Sequence, residues 1–156
     1  MRLAPQEVRT FFVTSVTDGR RALLQSERMA KLLIDVMQEN RQKRRLLIHK
    51  FVIMPNHFHL LITPAEEVSL ERAIQFIKGG FSYRVKTELD LNFTIWEKSF
   101  TNHRIRDAAD YIRHREYIHE NPVEAKLVER ADLFPYSSAY PGTDVDAVPP
   151  WLKPKP

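Results

Sequence analysis

The apolar positions of this chain alternate between two periods, and the changes of period mark out its elements. Val8 to Thr17 is rich in Phe, Val and Thr, closes at Asp18-Gly19, and predicts a first strand. Ser26 follows as a helix N-cap with Glu27 in the first turn. Met29, Leu32, Leu33, Val36 and Met37 then fall at i, i+3, i+4, i+7 and i+8, which predicts a helix from about Ser26 to Asn40 with one face inward. Arg45 to Met54 reads as a second strand. Met54-Pro55-Asn56 is a tight turn into a third, so the pair predicts an antiparallel hairpin. That third strand, His57 to Ile62, is apolar on both faces apart from its histidines, as a central strand is.

Beyond Thr63-Pro64, Ser69 caps a second helix whose apolar set is Leu70, Ala73, Ile74, Ile77 and Phe81. Gly79-Gly80 interrupts it at a cost of about 1 kcal/mol each relative to Ala. With Lys78, Ser82 and Arg84 around them, the glycines suggest the approach of a phosphate; close packing is the alternative. Phe93 to Ile105 holds one or two short strands, including Asn102-His103-Arg104-Ile105. A third helix starts at Asp107, with Asp110 completing a variant capping box. Tyr111, Ile112 and Ile118 face its core side together with the stem of Arg115, while His114, Tyr117 and Asn121 form a polar stripe beside them. Pro122 predicts its end at about Glu120 or Asn121.

The order strand, helix, strand, strand, helix, strand predicts an α+β protein with a ferredoxin-like split βαβ core, an antiparallel sheet and an additional C-terminal helix. One domain over residues 1–140 is expected, with a Pro-rich tail over 141–156 that is extended or mobile.

Composition narrows the chemistry. The chain has 156 residues, 43% of them hydrophobic, enough for one sizeable core. It has no cysteine, so disulfides, thiolate metal sites and a cysteine nucleophile are excluded. With no apolar signal core in Met1 to Glu7 and no stretch near a membrane span, a cytoplasmic location is expected. Net charge is only +4, but from Arg20 to Lys50 nine basic residues stand against three acids. Arg41, Lys43, Arg44 and Arg45 form the densest part, a match for a phosphate backbone or simply a solvated helix end.

His57 and His59, two apart on a strand, emerge on one face, while Phe58 takes the other. Alone the pair suits two ordinary half-buried histidines as well as a metal ion. Beside a tyrosine on a nearby helix and phosphate-sized basic patches, it suggests phosphoryl transfer with tyrosine as nucleophile. A phenol ionises only near pH about 10 and a phosphodiester repels negative charge, so a divalent cation on the phosphate oxygen would ease the attack.

Met54-Pro55-Asn56-His57-Phe58-His59-Leu60-Leu61 and Tyr117-Ile118-His119-Glu120-Asn121-Pro122-Val123, with Ala125-Lys126-Leu127-Val128, closely resemble the single-tyrosine HUH transposases, and within them the REP-associated tyrosine transposases. The resemblance extends from the first strand to Tyr136-Ser137-Ser138. It implies cleavage and rejoining of single-stranded or hairpin DNA with Mg²⁺ or Mn²⁺, through a 5′-phosphotyrosine and a free 3′-hydroxyl. By this resemblance His57 and His59 match the metal ligands, Tyr117 the nucleophile and Asn121 the third ligand, with His114, His119 and Glu120 nearby as substitutes. His103 matches an active-site or DNA contact, or is a surface imidazole. Lys126 stands where relatives usually carry glycine, so a left-handed backbone there would be strained. The resemblance also implies a bacterial, nucleoid-associated protein acting as monomer or homodimer. A non-catalytic hairpin-binding protein and a metal-dependent hydrolase that uses water are the competing classes.

Overall fold

The computed structural model describes residues 8–154; residues 1–7 and the last two of the proline-rich tail lie outside it. Its sheet contains β1 (Phe11–Val16), β2 (Leu46–Met54), β3 (His57–Pro64) and β4 (Thr101–Arg104), in the order β2-β3-β1-β4. All neighbouring strands are antiparallel. The helices are α1 (Glu27–Gln42), α2 (Leu70–Leu89) and α3 (Ala108–Glu124). This is a mixed α/β fold built on an antiparallel sheet.

The pleat of the sheet sorts the core into two layers. Val13, Phe51, Ile53, Phe58, Leu60 and Ile62 join the inward faces of α1 and α2 in one cluster. Val52, Met54 and Leu61, which alternate with them, join Tyr111 and Ile118 of α3 in a second. Successive residues of β3 therefore serve different layers. Full burial of a Phe or Leu side chain contributes about 2 kcal/mol, so neither face can be given up. The hairpin register pairs Met54 with His57 and β1 pairs Thr14 with His59, which puts β3 at the centre as expected.

All three expected N-caps form. Ser26, Ser69 and Asp107 accept from the amides of Met29, Arg72 and Asp110 respectively. Asp110 itself reaches back to the amide of Arg106, one residue before the cap.

Two helix expectations are corrected. α2 runs unbroken through Gly79-Gly80. A Cβ on Gly80 would stand 3.1 Å from Val36 Cγ1 of α1, so close helix packing explains this glycine. α3 continues through Pro122 to Glu124 instead of ending at Glu120 or Asn121. Pro122 falls in the last turn, where it forfeits one amide bond, and the amides of Ala125 and Leu127 still reach the carbonyls of Asn121 and Pro122. Lys126 then turns the chain with φ 61°, so the left-handed turn forms without the glycine despite its strain.

The segment from Tyr136 to Asp146, which includes the start of the proline-rich tail, lies along the outer edge of β2. Ile53 N donates to Tyr136 O, Ser138 N to Phe51 O, and Asp146 N to Ile48 O. Asp146 pairs with Arg41 at 2.9 Å, and Leu152 is buried. No helix among the described residues is long and apolar enough to cross a membrane.

The two glycines should respond oppositely to substitution. Gly79→Ala meets nothing closer than 4.0 Å and should stabilise the protein by about 1 kcal/mol. Gly80→Leu should cost about 2 kcal/mol by forcing α1 and α2 apart. Urea unfolding of the two variants against the parent measures both.

Candidate active site

The pleat that delivers Val52 and Leu61 to α3 also delivers His57 and His59. Their ring centroids are 4.8 Å apart. His59 is 4% exposed, and its Nδ1 lies 2.7 Å from Oγ1 of Thr14, its cross-strand partner. Its Nε2 is buried with no partner. A buried polar atom left unpaired costs about 1–3 kcal/mol, so this nitrogen calls for a ligand. His57 Nδ1 lies 2.7 Å from Asn56 Oδ1 in the hairpin turn, and the Asn121 side chain is within hydrogen-bonding reach of His57.

Tyr117 stands over this pair. Its ring is 5.2 Å from that of His59 and 5.9 Å from that of Phe12, in edge-on contacts. At 53% exposure it is open to a substrate. Phe12 stacks on His59 at 5.2 Å and meets His114 at 4.8 Å, so one aromatic ring spaces the histidines from the tyrosine helix.

A second cluster adjoins it. His103 on β4, Asp110 and His114 place one potential ligand atom each within 4.8 Å of one another, a triad able to chelate a metal. Asp110 is 4% exposed and heavily bonded: its Oδ2 is 2.8 Å from His103 Nε2 and accepts from Arg106 N, while its Oδ1 accepts from Arg113. Burial raises the Asp110 pKa, but these hydrogen bonds and the nearby histidines outweigh it and hold the carboxyl below its usual range. The stacked rings of His103 and His114 tie β4 to the first turns of the tyrosine helix.

Burial dominates the titration of the interior histidines. It pushes His59 down to about 3, with His57 adding repulsion. His119 is pushed to about 4 by burial first and by Lys50 and Arg115 next. Both imidazoles are therefore neutral at physiological pH, as a metal ligand must be.

The structure brings His57, His59, Tyr117 and Asn121 together, with His103 beside them. The other expected contacts lie elsewhere. Lys78, Ser82 and Arg84 belong to α2, on the opposite face of the sheet; Lys78 donates to the carbonyls of Glu97 and Ser99, and Arg84 pairs with Glu88. Arg41 is held bidentately by Asp146, Lys43 by Glu39, and Arg45 bonds Asn40 and lies over the Phe76 ring. Arg44 is exposed at φ 57°. Sequence reading missed Phe12 and Thr14, whose alternation on β1 is visible but whose partners depend on register. It also gave Asp110 only a capping role.

A central sheet strand offers paired imidazoles to a helix-borne tyrosine, an arrangement suited to metal-assisted phosphoryl transfer. The chain belongs to the IS200-like transposase family, whose profile matches residues 9–121. It is 26% identical over 129 residues to a REP-associated tyrosine transposase of Escherichia coli K12, covering 82% of this chain and 74% of that one. Identity is 31% over 107 residues to a protein of Haemophilus influenzae named a putative REP-associated tyrosine transposase, covering 62% of this chain and 61% of that one. Among solved structures, a REP-associated tyrosine transposase bound to a REP hairpin superposes with a TM-score of 0.70 at 26% identity, covering 88% of this chain and 80% of the other. A structure from Deinococcus radiodurans, at 18% identity and a TM-score of 0.55, shares the fold; it covers 78% of this chain and 97% of that one.

Acid should destabilise the protein through its neutral histidines. The folded pKa of His119 lies below its unfolded value of 6.5, so its contribution is present above pH 6.5 and is lost as pH falls toward about 4. His49, also lowered by burial, acts in the same direction. Urea midpoints across this interval should fall with pH, and His119→Gln should flatten the slope.

Proposed function

We propose that the protein cleaves and rejoins single-stranded DNA, acting on hairpins resembling repetitive extragenic palindromes, through a covalent 5′-phosphotyrosine on Tyr117. The fold is taken as the ferredoxin-like split βαβ type, since β1 and β2 run parallel with β3 inserted between them. The observation that carries the reading is the unpartnered Nε2 of buried His59, whose ring lies 5.2 Å from that of Tyr117.

The donor set fits a divalent cation, Mg²⁺ or Mn²⁺. With Asn56 Oδ1 accepting from Nδ1 of His57 and Thr14 Oγ1 accepting from Nδ1 of His59, each ring keeps its Nε2 lone pair, and that of His59 has no partner. The Asn121 side-chain oxygen is assigned as the third ligand. Such a cation, when bound, would withdraw charge from a phosphodiester oxygen. The protein's own part is positional. Phe12 and His59 hold the Tyr117 ring edge-on, and the Asp110 hub fixes the first turns of its helix. The phenol gives up its proton as its oxygen bonds to phosphorus; the phosphorus–O3′ bond breaks and the departing oxygen is protonated to a 3′-hydroxyl. Reversal on a second 3′-hydroxyl rejoins the strands. His103, Lys43 and Arg44 are assigned DNA contacts, Arg44 because its side chain is exposed. The chain acts as a monomer or homodimer.

Tyr117→Phe should abolish a denaturant-resistant adduct with hairpin DNA in Mn²⁺ while retaining hairpin affinity within about twofold. An adduct surviving in this variant refutes the nucleophile assignment. An adduct absent from the parent protein favours a non-catalytic hairpin binder. Thr14→Val, which frees the His59 ring, should weaken Mn²⁺ binding about 10-fold or more, read by calorimetric titration without DNA.

A further inference from the structure

Tyr117, His114 and Asn121 occupy one flank of α3; Arg115 and His119 occupy the other. There a cavity of about 310 Å³ opens between α3, the edge strand β2 and the C-terminal segment. Its walls include Lys50 of β2, Tyr111 and Arg115 of α3, and Val145, Val148 and Leu152 of the segment.

The charges in this cavity are unbalanced. Lys50 is half-buried, and no acid among the described residues pairs with it. The charge that acts on it is another cation, Arg115, and burial with that repulsion lowers its pKa. Arg115 has one acidic partner, Glu116 at 2.9 Å, whose side chain is exposed while that of Arg115 is partly covered. Exposed pairs of this kind contribute about 0–1 kcal/mol and exchange readily. Asp146, which also lines the cavity, is committed to Arg41 and to the amide of Ile48. His119, facing Lys50 and Arg115, is neutral and lies 2.9 Å from Ser138 Oγ.

Tyr111 supplies an independent sign. It is 2% exposed, and its Oη is buried without a partner. Lys and Arg only donate and the phenol hydroxyl can donate, so the wall offers donors and positive charge, while its one carboxylate, Asp146, is already engaged. A tetrahedral oxyanion answers that arrangement, and Val145, Val148 and Leu152 suit the sugar or base beside it.

We propose that Lys50, Arg115 and Tyr111 form a phosphate subsite, filled by a backbone phosphate of the bound DNA as it passes across α3 from Tyr117. The assignment rests on the DNA-cleaving reading for its ligand. The subsite would hold the strand on the flank of the tyrosine helix away from the chemistry, with the C-terminal segment as its outer wall. That wall lies beyond residues 9–121, the part matched by the family profile.

The test compares the parent protein with Lys50→Met, which keeps the apolar stem and removes the charge. Because the substitution relieves repulsion from Arg115, the variant should melt no lower than the parent; Arg115→Gln serves if it does not fold. Hairpin affinity should fall about tenfold at low salt. The magnitude of the slope of log affinity against log salt should fall by about 1. Millimolar inorganic phosphate should raise the melting temperature of the parent and not of Lys50→Met. Unchanged affinity and slope together with an absent phosphate shift overturn the subsite. A shift with thymidine 5′-monophosphate that Lys50→Met loses, with hairpin binding unchanged, upholds the pocket but assigns it to a free nucleotide. A parent that binds phosphate yet forms no adduct through Tyr117 would sink the catalytic reading alone.

Discussion

Everything in this molecule depends on the alternation of side chains along β3. Phe58, Leu60 and Ile62 fill the layer under α1 and α2, while His57, His59 and Leu61 face α3. A one-residue shift in the register of β3 against its neighbours would send the histidines into the two-helix core and the phenylalanine out of it. The burial that stabilises the fold thereby enforces the position of its most polar strand residues. Chemistry and stability share a register, so the imidazoles need no separate device to keep them on their face.

The same face is closed by α3, which acts as a divider. One flank carries the tyrosine, the asparagine and the ring stack on Phe12; the other carries two cations and a buried phenol without a partner. The Asp110 hub at the start of the helix and the left-handed turn at Lys126 bracket it. A rigid helix between two polar grooves can relate a reacting phosphate to a held one at fixed spacing, and such positioning is a large part of what catalysis of phosphoryl transfer requires.

Local signals in the sequence were legible because they act over a few residues. Ser26, Ser69 and Asp107 announce helix starts by their own hydrogen bonding, Pro55-Asn56 announces the hairpin, and the two-residue spacing of His57 and His59 puts them on one face. Non-local partners were not legible. Thr14 and Phe12 meet His59 only because β1 pairs with β3 in one register, and no spacing in the chain encodes it. Gly80 reads as a phosphate approach until Val36 of another helix is seen beside it. Pro122 misleads because the rule against proline applies to helix interiors and weakens in a last turn. The basic run at Arg41 to Arg45 looked free because Asp146, which occupies Arg41, lies far along the chain.

The two sheet edges differ in a way that bears on self-association. At β2 the backbone groups of Ile48, Phe51 and Ile53 are already satisfied by residues 136–146, so no foreign strand can add there without displacing the protein's own chain. At the far side β4 is four residues long and carries Asn102, His103 and Arg104, too short and too hydrophilic to template another strand. Both edges of the sheet are thus denied to unpaired polypeptide.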